Sequence, residues 1–242
     1  MTRRSFLFSA ITGMGQRSLQ WLALDLQSRT ELHHWAHSET PVSMGSLLKP
    51  FLSIAYRFTH VAWPVSYCAG SSSGCWFSKG HGKQNIVQAL ANSCNAYFLR
   101  LAAAVDRAAL DTTCLVYGLQ RPRRELTAAN LIGLAEGWPQ SPRDVARSFA
   151  RLASNASDKD VGVVLTGMAH CAASGTARGA GFDCFAKTGT APCSHLPRSE
   201  GDGFAIAIYP RDQPRRLVLV ERHGTTGAVA ARDLKPLAAS LA

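Results

Sequence analysis

Ser46 and Lys49 stand three residues apart in Ser46-Leu-Leu-Lys49-Pro50-Phe51. If that stretch is helical, the spacing turns the hydroxyl and the amine to one face. A serine hydroxyl is a poor nucleophile near neutral pH and needs a base within hydrogen-bonding reach. A lysine can be that base once burial or a second cation lowers its pKa. The segment follows the turn-rich Pro41-Val-Ser-Met-Gly45 and opens an apolar run over 47–58, so Ser46 is predicted at or near the start of a helix. A helix N-terminus favours negative charge developing there. An exposed helix start with a solvated lysine has the same spacing, so the pair gains its meaning from the rest of the chain.

The chain has 242 residues, 46% of them hydrophobic and only 17% charged, enough for one large domain or two small ones sharing a cleft. This composition excludes a disordered or repetitive chain. Twenty-six Lys and Arg against 16 Asp and Glu give a net charge of +10. Such a surface could meet nucleic acid, anionic lipid or an acidic polymer. The chain has no long basic run with interleaved aromatics and no nucleic-acid motif, so no nucleic-acid partner is expected. Seven cysteines is an odd number, which leaves at least one thiol free or paired between chains. Cys68 and Cys75 bracket a Gly/Ser loop over 69–74 and could close a small disulfide ring. No pair has Cys-x-x-Cys spacing, which argues against zinc, and no metal or cofactor is expected.

The positioning elements follow from pattern. Residues 1–15, with Thr2-Arg3-Arg4-Ser5-Phe6-Leu7, resemble a twin-arginine export signal and are too short to span a bilayer. Residues 19–26 and 31–37 flank a turn and predict a β-hairpin. After the Ser46 helix, 61–82 is irregular, and His81 between two glycines reads as a loop or capping residue. Helices are predicted over 84–91 and 95–110, and Arg121 to Asn130 as a polar connection. Ser141-Pro142 starts another helix, running to about Ala153, and a further one covers 161–173. Strands are predicted over 184–191, 203–209 and 217–222, and a closing helix over 227–241. Strands at both ends and helices between them imply an α+β fold. The antiparallel sheet would be formed from both chain ends and flanked by helices, with an all-helical subdomain at roughly 60–175.

Two further clusters complete the pattern: Ser93-Cys94-Asn95 and Lys187-Thr188-Gly189. Ser-x-x-Lys, Ser-x-Asn and Lys-Thr-Gly, in that order, are the known signature of β-lactamases and penicillin-binding proteins. The flanks Gly80-His81-Gly82, Ala96-Tyr97-Phe98, Gly175-Thr176-Ala177 and Thr190-Ala191 are also similar to that family. The chain over 16–242 therefore resembles a penicillin-binding transpeptidase domain, and the resemblance covers most of its length. It implies a serine D,D-transpeptidase or carboxypeptidase in the periplasm or cell envelope. The substrate would be a peptidoglycan stem peptide, β-lactam antibiotics would mimic it, and a cell-wall protein would be a partner.

The same resemblance implies the roles of the site residues. Ser46 would be the acylated nucleophile and Lys49 its base. Ser93, held by Lys49 and Lys187, would carry a proton to the leaving amine. Asn95 would hold the substrate's amide side chain. Lys187, Thr188 and Thr190 would bind the terminal carboxylate. Gly189 would admit the substrate as an added strand, and the N–H groups of Ser46 and Thr190 would form the oxyanion hole.

Ala186 departs from the family, which often has a second glycine there. Glu125 and Asn130 lie where serine β-lactamases carry a water-activating carboxylate, but Arg121-Pro-Arg-Arg-Glu-Leu-Thr does not reproduce that pattern, and Glu125 reads as a solvated loop residue. Slow hydrolysis of the acyl-enzyme is therefore expected. A β-lactamase, or a non-catalytic penicillin sensor or scaffold of the same fold, are the alternatives. The tryptophans read as packing residues, with Trp76 the one placed beside the cleft. Cys94 reads as a small packing residue. His33, His34, His37, His60, His170, His195 and His223 show no ligand spacing.

Overall fold

Large and small side chains alternate along Phe204-Ala-Ile-Ala-Ile208, and this alternation divides the molecule into layers. The computed structural model describes residues 18–193, 196 and 199–241. The expected export segment and His195 lie outside them. Phe204, Ile206 and Ile208 point from one face of a sheet into the larger apolar core. Ala205 and Ala207 point from the other face into a smaller core with Ala230, Ala231 and Leu234. Alanines let the C-terminal helices approach the sheet closely, whereas the opposite face needs bulky side chains to fill the space under several helices.

The sheet contains β1 (Leu19–Asp25), β2 (Glu31–His33), β5 (Phe185–Ala191), β6 (Asp202–Tyr209) and β7 (Arg216–Arg222), while β3 (Ser66–Cys68) and β4 (Gly82–Gln84) lie elsewhere. Its order is β2-β1-β7-β6-β5, all antiparallel. The N-terminal β1 thus pairs with the C-terminal β7, with Leu22 opposite Leu219. The α+β sheet built from both chain ends is borne out.

The first helix, α1 (Lys49–Arg57), follows a 3-10 turn over Gly45–Leu48. Then come β3 (Ser66–Cys68), a 3-10 turn over Gly70–Ser73 and β4 (Gly82–Gln84). β3 and β4 form a small separate hairpin; β3 lies in the stretch predicted to be irregular, and β4 runs past its end to Gln84, the first residue of the helix expected over 84–91. α2 (Ile86–Ala91) and α3 (Asn95–Ala103) carry the middle motif. The single helix expected over 95–110 is two, because Asp106 caps a new one, α4 (Arg107–Tyr117), by accepting from the Ala108 N–H at 3.2 Å. A short α5 (Ala128–Leu131) lies in the expected polar connection.

The next helix, α6 (Pro142–Ser154), starts as Ser141-Pro142 predicts: the Ser141 hydroxyl accepts from the Asp144 N–H at 3.0 Å. It buries Val145, Ala146, Phe149, Leu152 and Ala153, one helical stripe against the larger core. α7 (Lys159–Ala173) spans both cores, with Met168 in the larger and Cys171 in the smaller. The expected closing helix is broken into α8 (Gly227–Ala230), a 3-10 turn and α9 (Leu234–Ala239).

Candidate active site

The turn carrying Ser46 lies against β5 because two glycines allow their backbones to touch. A Cβ on Gly45 would sit 2.4 Å from the Thr190 carbonyl oxygen, and one on Gly189 would sit 2.4 Å from the Met44 carbonyl oxygen. Neither backbone could yield to a side chain there. Gly45 also has φ +53°, which glycine adopts without strain. Ser46 is half-buried beside this contact, one turn before Lys49 at the head of α1.

Lys49 is completely buried. Its Nζ donates to Asn95 Oδ1 at 2.7 Å, to the Ser93 carbonyl at 2.9 Å and to Ser93 Oγ at 3.4 Å. Lys187, also completely buried, reaches Ser93 from β5: its Nζ donates to Ser93 Oγ at 3.0 Å and to the Thr188 carbonyl at 2.8 Å. The Ser93 hydroxyl therefore lies between two amines that originate 138 residues apart in the chain, as their numbers show. The backbone of Ser93 is unusual for a non-glycine, with φ +48°, a conformation that costs on the order of 1–3 kcal/mol and persists where neighbours over-determine it. The neighbours here are Lys49 and Trp76, whose indole Nε1 donates to the Asn92 and Ser93 carbonyls at 3.2 and 3.3 Å.

Burial is the main cause that lowers both lysine pKa values. It holds Lys49 well below the ordinary lysine value, with the charge of Lys187 adding to the effect, and brings Lys187 down to about 8. A buried ammonium is disfavoured against the neutral amine, so each lysine gives up its proton more readily than an ordinary lysine.

The expectation that the Lys49 amine comes round to Ser46 needs refinement. Lys49 is directed at Ser93 and Asn95, and Ser46 Oγ has no hydrogen-bonding partner among the described residues. Catalytic hydrogen bonds commonly tighten only once substrate is present. Thr188 is buried, and its hydroxyl pairs with that of Thr176 at 2.6 Å. Thr190 is exposed, and its hydroxyl accepts from the Gly227 N–H at 3.0 Å. Thr176 is thus a supporting residue of the third motif; the flank Gly175-Thr176-Ala177 was its only trace in the sequence.

Glu125 is exposed, and Asn130 completes the capping box of α5 by accepting from the Thr127 N–H at 3.1 Å while donating to the Glu136 carbonyl at 2.6 Å. No carboxylate is hydrogen-bonded to Ser46, Lys49, Ser93 or Lys187 among the described residues. A cavity of about 820 Å³ opens beyond the far end of β5, lined by Ser43, Trp138, Ala191, Phe204 and Glu221 among others; Ser46, Lys49, Ser93 and Lys187 are not in its lining.

The sulfur chemistry differs from what spacing suggested. Cys68 and Cys75, candidates for a disulfide ring, are both free thiols, and they meet His81 and Cys94 rather than bond to each other. These four side chains arrive from three separate segments, so no local spacing brings them together.

No family model matches the sequence, and no curated protein matches it. Solved structures do. The transpeptidase domain of penicillin-binding protein 3 from Burkholderia pseudomallei aligns with a TM-score of 0.71 at 16% identity, over 91% of this chain and 86% of that one. The transpeptidase domain of FtsI4 D,D-transpeptidase from Legionella pneumophila gives 0.66 at 17% identity, over 93% and 88%. Penicillin-binding protein PBP2 from Helicobacter pylori, solved as a complex with MreC, gives 0.75 at 14% identity; it covers 93% of this chain, which spans 60% of that one. The chain has the fold of penicillin-binding transpeptidase domains.

Proposed function

We propose that this chain is a serine acyltransferase that opens the bond between the two D-alanines of a peptidoglycan stem peptide, as a transpeptidase or carboxypeptidase. The observation that carries this reading is the Ser93 hydroxyl held between two buried amines, at 3.4 Å from Lys49 and 3.0 Å from Lys187. That is an apparatus for moving protons beside the turn that bears Ser46.

In the proposed reaction Lys49, as the neutral amine, takes the proton of Ser46 Oγ while that oxygen attacks the peptide carbonyl carbon. The carbonyl oxygen becomes negative and is stabilised by the N–H groups of Ser46 and Thr190. Ser93 gives its proton to the leaving nitrogen and is resupplied by Lys49, whose proton came from Ser46. The C–N bond breaks, D-alanine departs, and an ester remains on Ser46. Water or an amine then attacks the ester along the reverse proton path. The position of β5 at the end of the sheet order supports binding of substrate as an added strand along that open edge, with Lys187 and Thr190 on the carboxylate and Asn95 on the amide side chain. Thr188 would join them only by releasing Thr176.

The absence of a carboxylate bonded to the site, among the described residues, favours slow hydrolysis of the ester over the fast turnover of a β-lactamase. We further propose that the protein works in the cell envelope, exported by way of residues 1–15, with a cell-wall protein as partner. No helix among the described residues is long and apolar enough to cross a membrane.

Intact mass after incubation with a penicillin tests the reading, for wild type and Ser46→Ala. A stable adduct on wild type alone is expected. A folded wild type that takes no label sinks the acyl-serine mechanism and leaves the scaffold. Sustained consumption of a chromogenic cephalosporin would move the β-lactamase to first place.

A further inference from the structure

One group of nucleophilic side chains has no part in acyl transfer. The Sγ atoms of Cys68, Cys75 and Cys94 and a ring nitrogen of His81 all lie within 4.8 Å of one another. Cys68 Sγ is 3.6 Å and Cys75 Sγ 3.4 Å from His81 Nδ1, and the Sγ atoms of Cys75 and Cys94 are 3.9 Å apart. A disulfide would require about 2.05 Å. A tetrahedral zinc ion, with bonds of about 2.3 Å to sulfur and about 2.05 Å to nitrogen, has S···S edges of about 3.8 Å and S···N edges of about 3.6 Å. The three separations given match those edges to within a few tenths of an ångström, and the other three pairs of donors lie within 4.8 Å.

The surrounding chain is built to hold the four side chains in place. Cys68 ends β3 opposite Gly82, so the hairpin sets it beside His81. The Cys75 N–H closes the intervening loop onto the Gly70 carbonyl at 3.1 Å. Gln84 Nε2 donates to the His81 carbonyl at 3.0 Å, and Asn92 Nδ2 donates to Gln84 Oε1 at 2.9 Å, tying the histidine's backbone to the end of α2. All three thiols are buried, and Cys94 is completely so.

We propose that Cys68, Cys75, His81 and Cys94 form a closed tetrahedral site for one zinc ion, which pins the 66–84 segment to the start of α3. With four protein ligands the ion has no open position, so its role is structural. Three thiols release their protons on binding, and the histidine coordinates as the neutral imidazole through Nδ1. Cys94 lies between Ser93 and Asn95, so the ion would hold the backbone on which both catalytic groups depend. The site stands on the four side chains alone; only this consequence rests on the acyl-transfer reading.

The test is metal analysis of the full chain purified under reducing conditions without chelator. About one zinc per chain is expected, falling below about one fifth in Cys75→Ser and unchanged in Cys193→Ser, which lies outside the cluster. Because Cys75→Ser could misfold, two measurements use wild type. Cobalt(II) exchanged into the site should give thiolate-to-metal charge transfer and the intense visible bands of tetrahedral cobalt. Mass spectrometry should find Cys68, Cys75 and Cys94 protected from alkylation until a chelator is added. Folded wild type that carries no zinc and gives no charge-transfer band with cobalt overturns the proposal, as does a disulfide among the three cysteines. A metal-free protein that still forms the penicillin adduct refutes the metal site only; a zinc-bound protein that forms none refutes only the acyl transfer.

Discussion

The titration of Lys187 should be visible in the stability of the whole molecule. Its side chain is completely buried, and burial brings its pKa from 10.5 to about 8. Between these values the unfolded chain still holds a proton that the folded chain has released. Folding is therefore favoured progressively as pH rises through the window, and the buried charge weighs against the fold below it. The gap from 10.5 to about 8, at about 1.36 kcal/mol per pH unit, corresponds to about 3.4 kcal/mol in full and about 2.5 kcal/mol between pH 7 and pH 10.

The assay is denaturant unfolding of wild type and Lys187→Met at several pH values in that range. Wild type should gain about 2.5 kcal/mol on the variant from pH 7 to pH 10. Buried thiols such as Cys114 and Cys184, pushed up to about 12, act the other way above pH 9, but they are common to both proteins and cancel in the difference. Lys49 reinforces the effect, because its own lowering owes something to the Lys187 charge, which the variant removes. A difference that stays flat to about 0.5 kcal/mol, or slopes the other way, would refute the buried two-lysine site on which the proposed proton path depends.

Asn95→Leu removes the closest acceptor of the buried Lys49 amine, at 2.7 Å, and should cost about 1–3 kcal/mol in unfolding measurements while slowing penicillin acylation. Gly189→Val drives a side chain at the Met44 carbonyl, which the Cβ alone would approach to 2.4 Å, and should lower the acylation rate by about 100-fold as the Ser46 turn is displaced. If the neutral form of Lys49 is the base, as proposed, acylation should rise with pH and reach half its maximum well below 10.5, where burial has lowered the lysine; a profile that keeps rising to pH 10.5 contradicts this. Ser141→Ala removes the cap of α6 and should lower stability by about 1 kcal/mol without changing acylation at saturating penicillin.

The chain's own order of residues determined a good deal. Ser-x-x-Lys, Ser-x-Asn and Lys-Thr-Gly carry their chemistry in local spacing, and the strands announce themselves by runs such as Phe204-Ala-Ile-Ala-Ile208, whose period of two is a local property. The Ser141 cap with Pro142 placed a helix start for the same reason. The break at Asp106 was also local, but its cap was masked by the Ala/Leu-rich run on either side. The small hairpin of β3 and β4 was not legible, because strands of three residues hold too little pattern to show.

Tertiary structure alone decided the rest. That β5 ends the sheet follows from pairing across the whole chain. That Lys49 faces Ser93 and Asn95 depends on where α3 meets α1, which no helical spacing encodes. The approach of Gly45 to Thr190 joins residues 145 positions apart, as their numbers show. Cys68, Cys75, His81 and Cys94 have no motif spacing, because a hairpin, a loop and a helix start converge on them from different directions. Coordination chemistry needs donors close in space, and only the folded chain sets those distances.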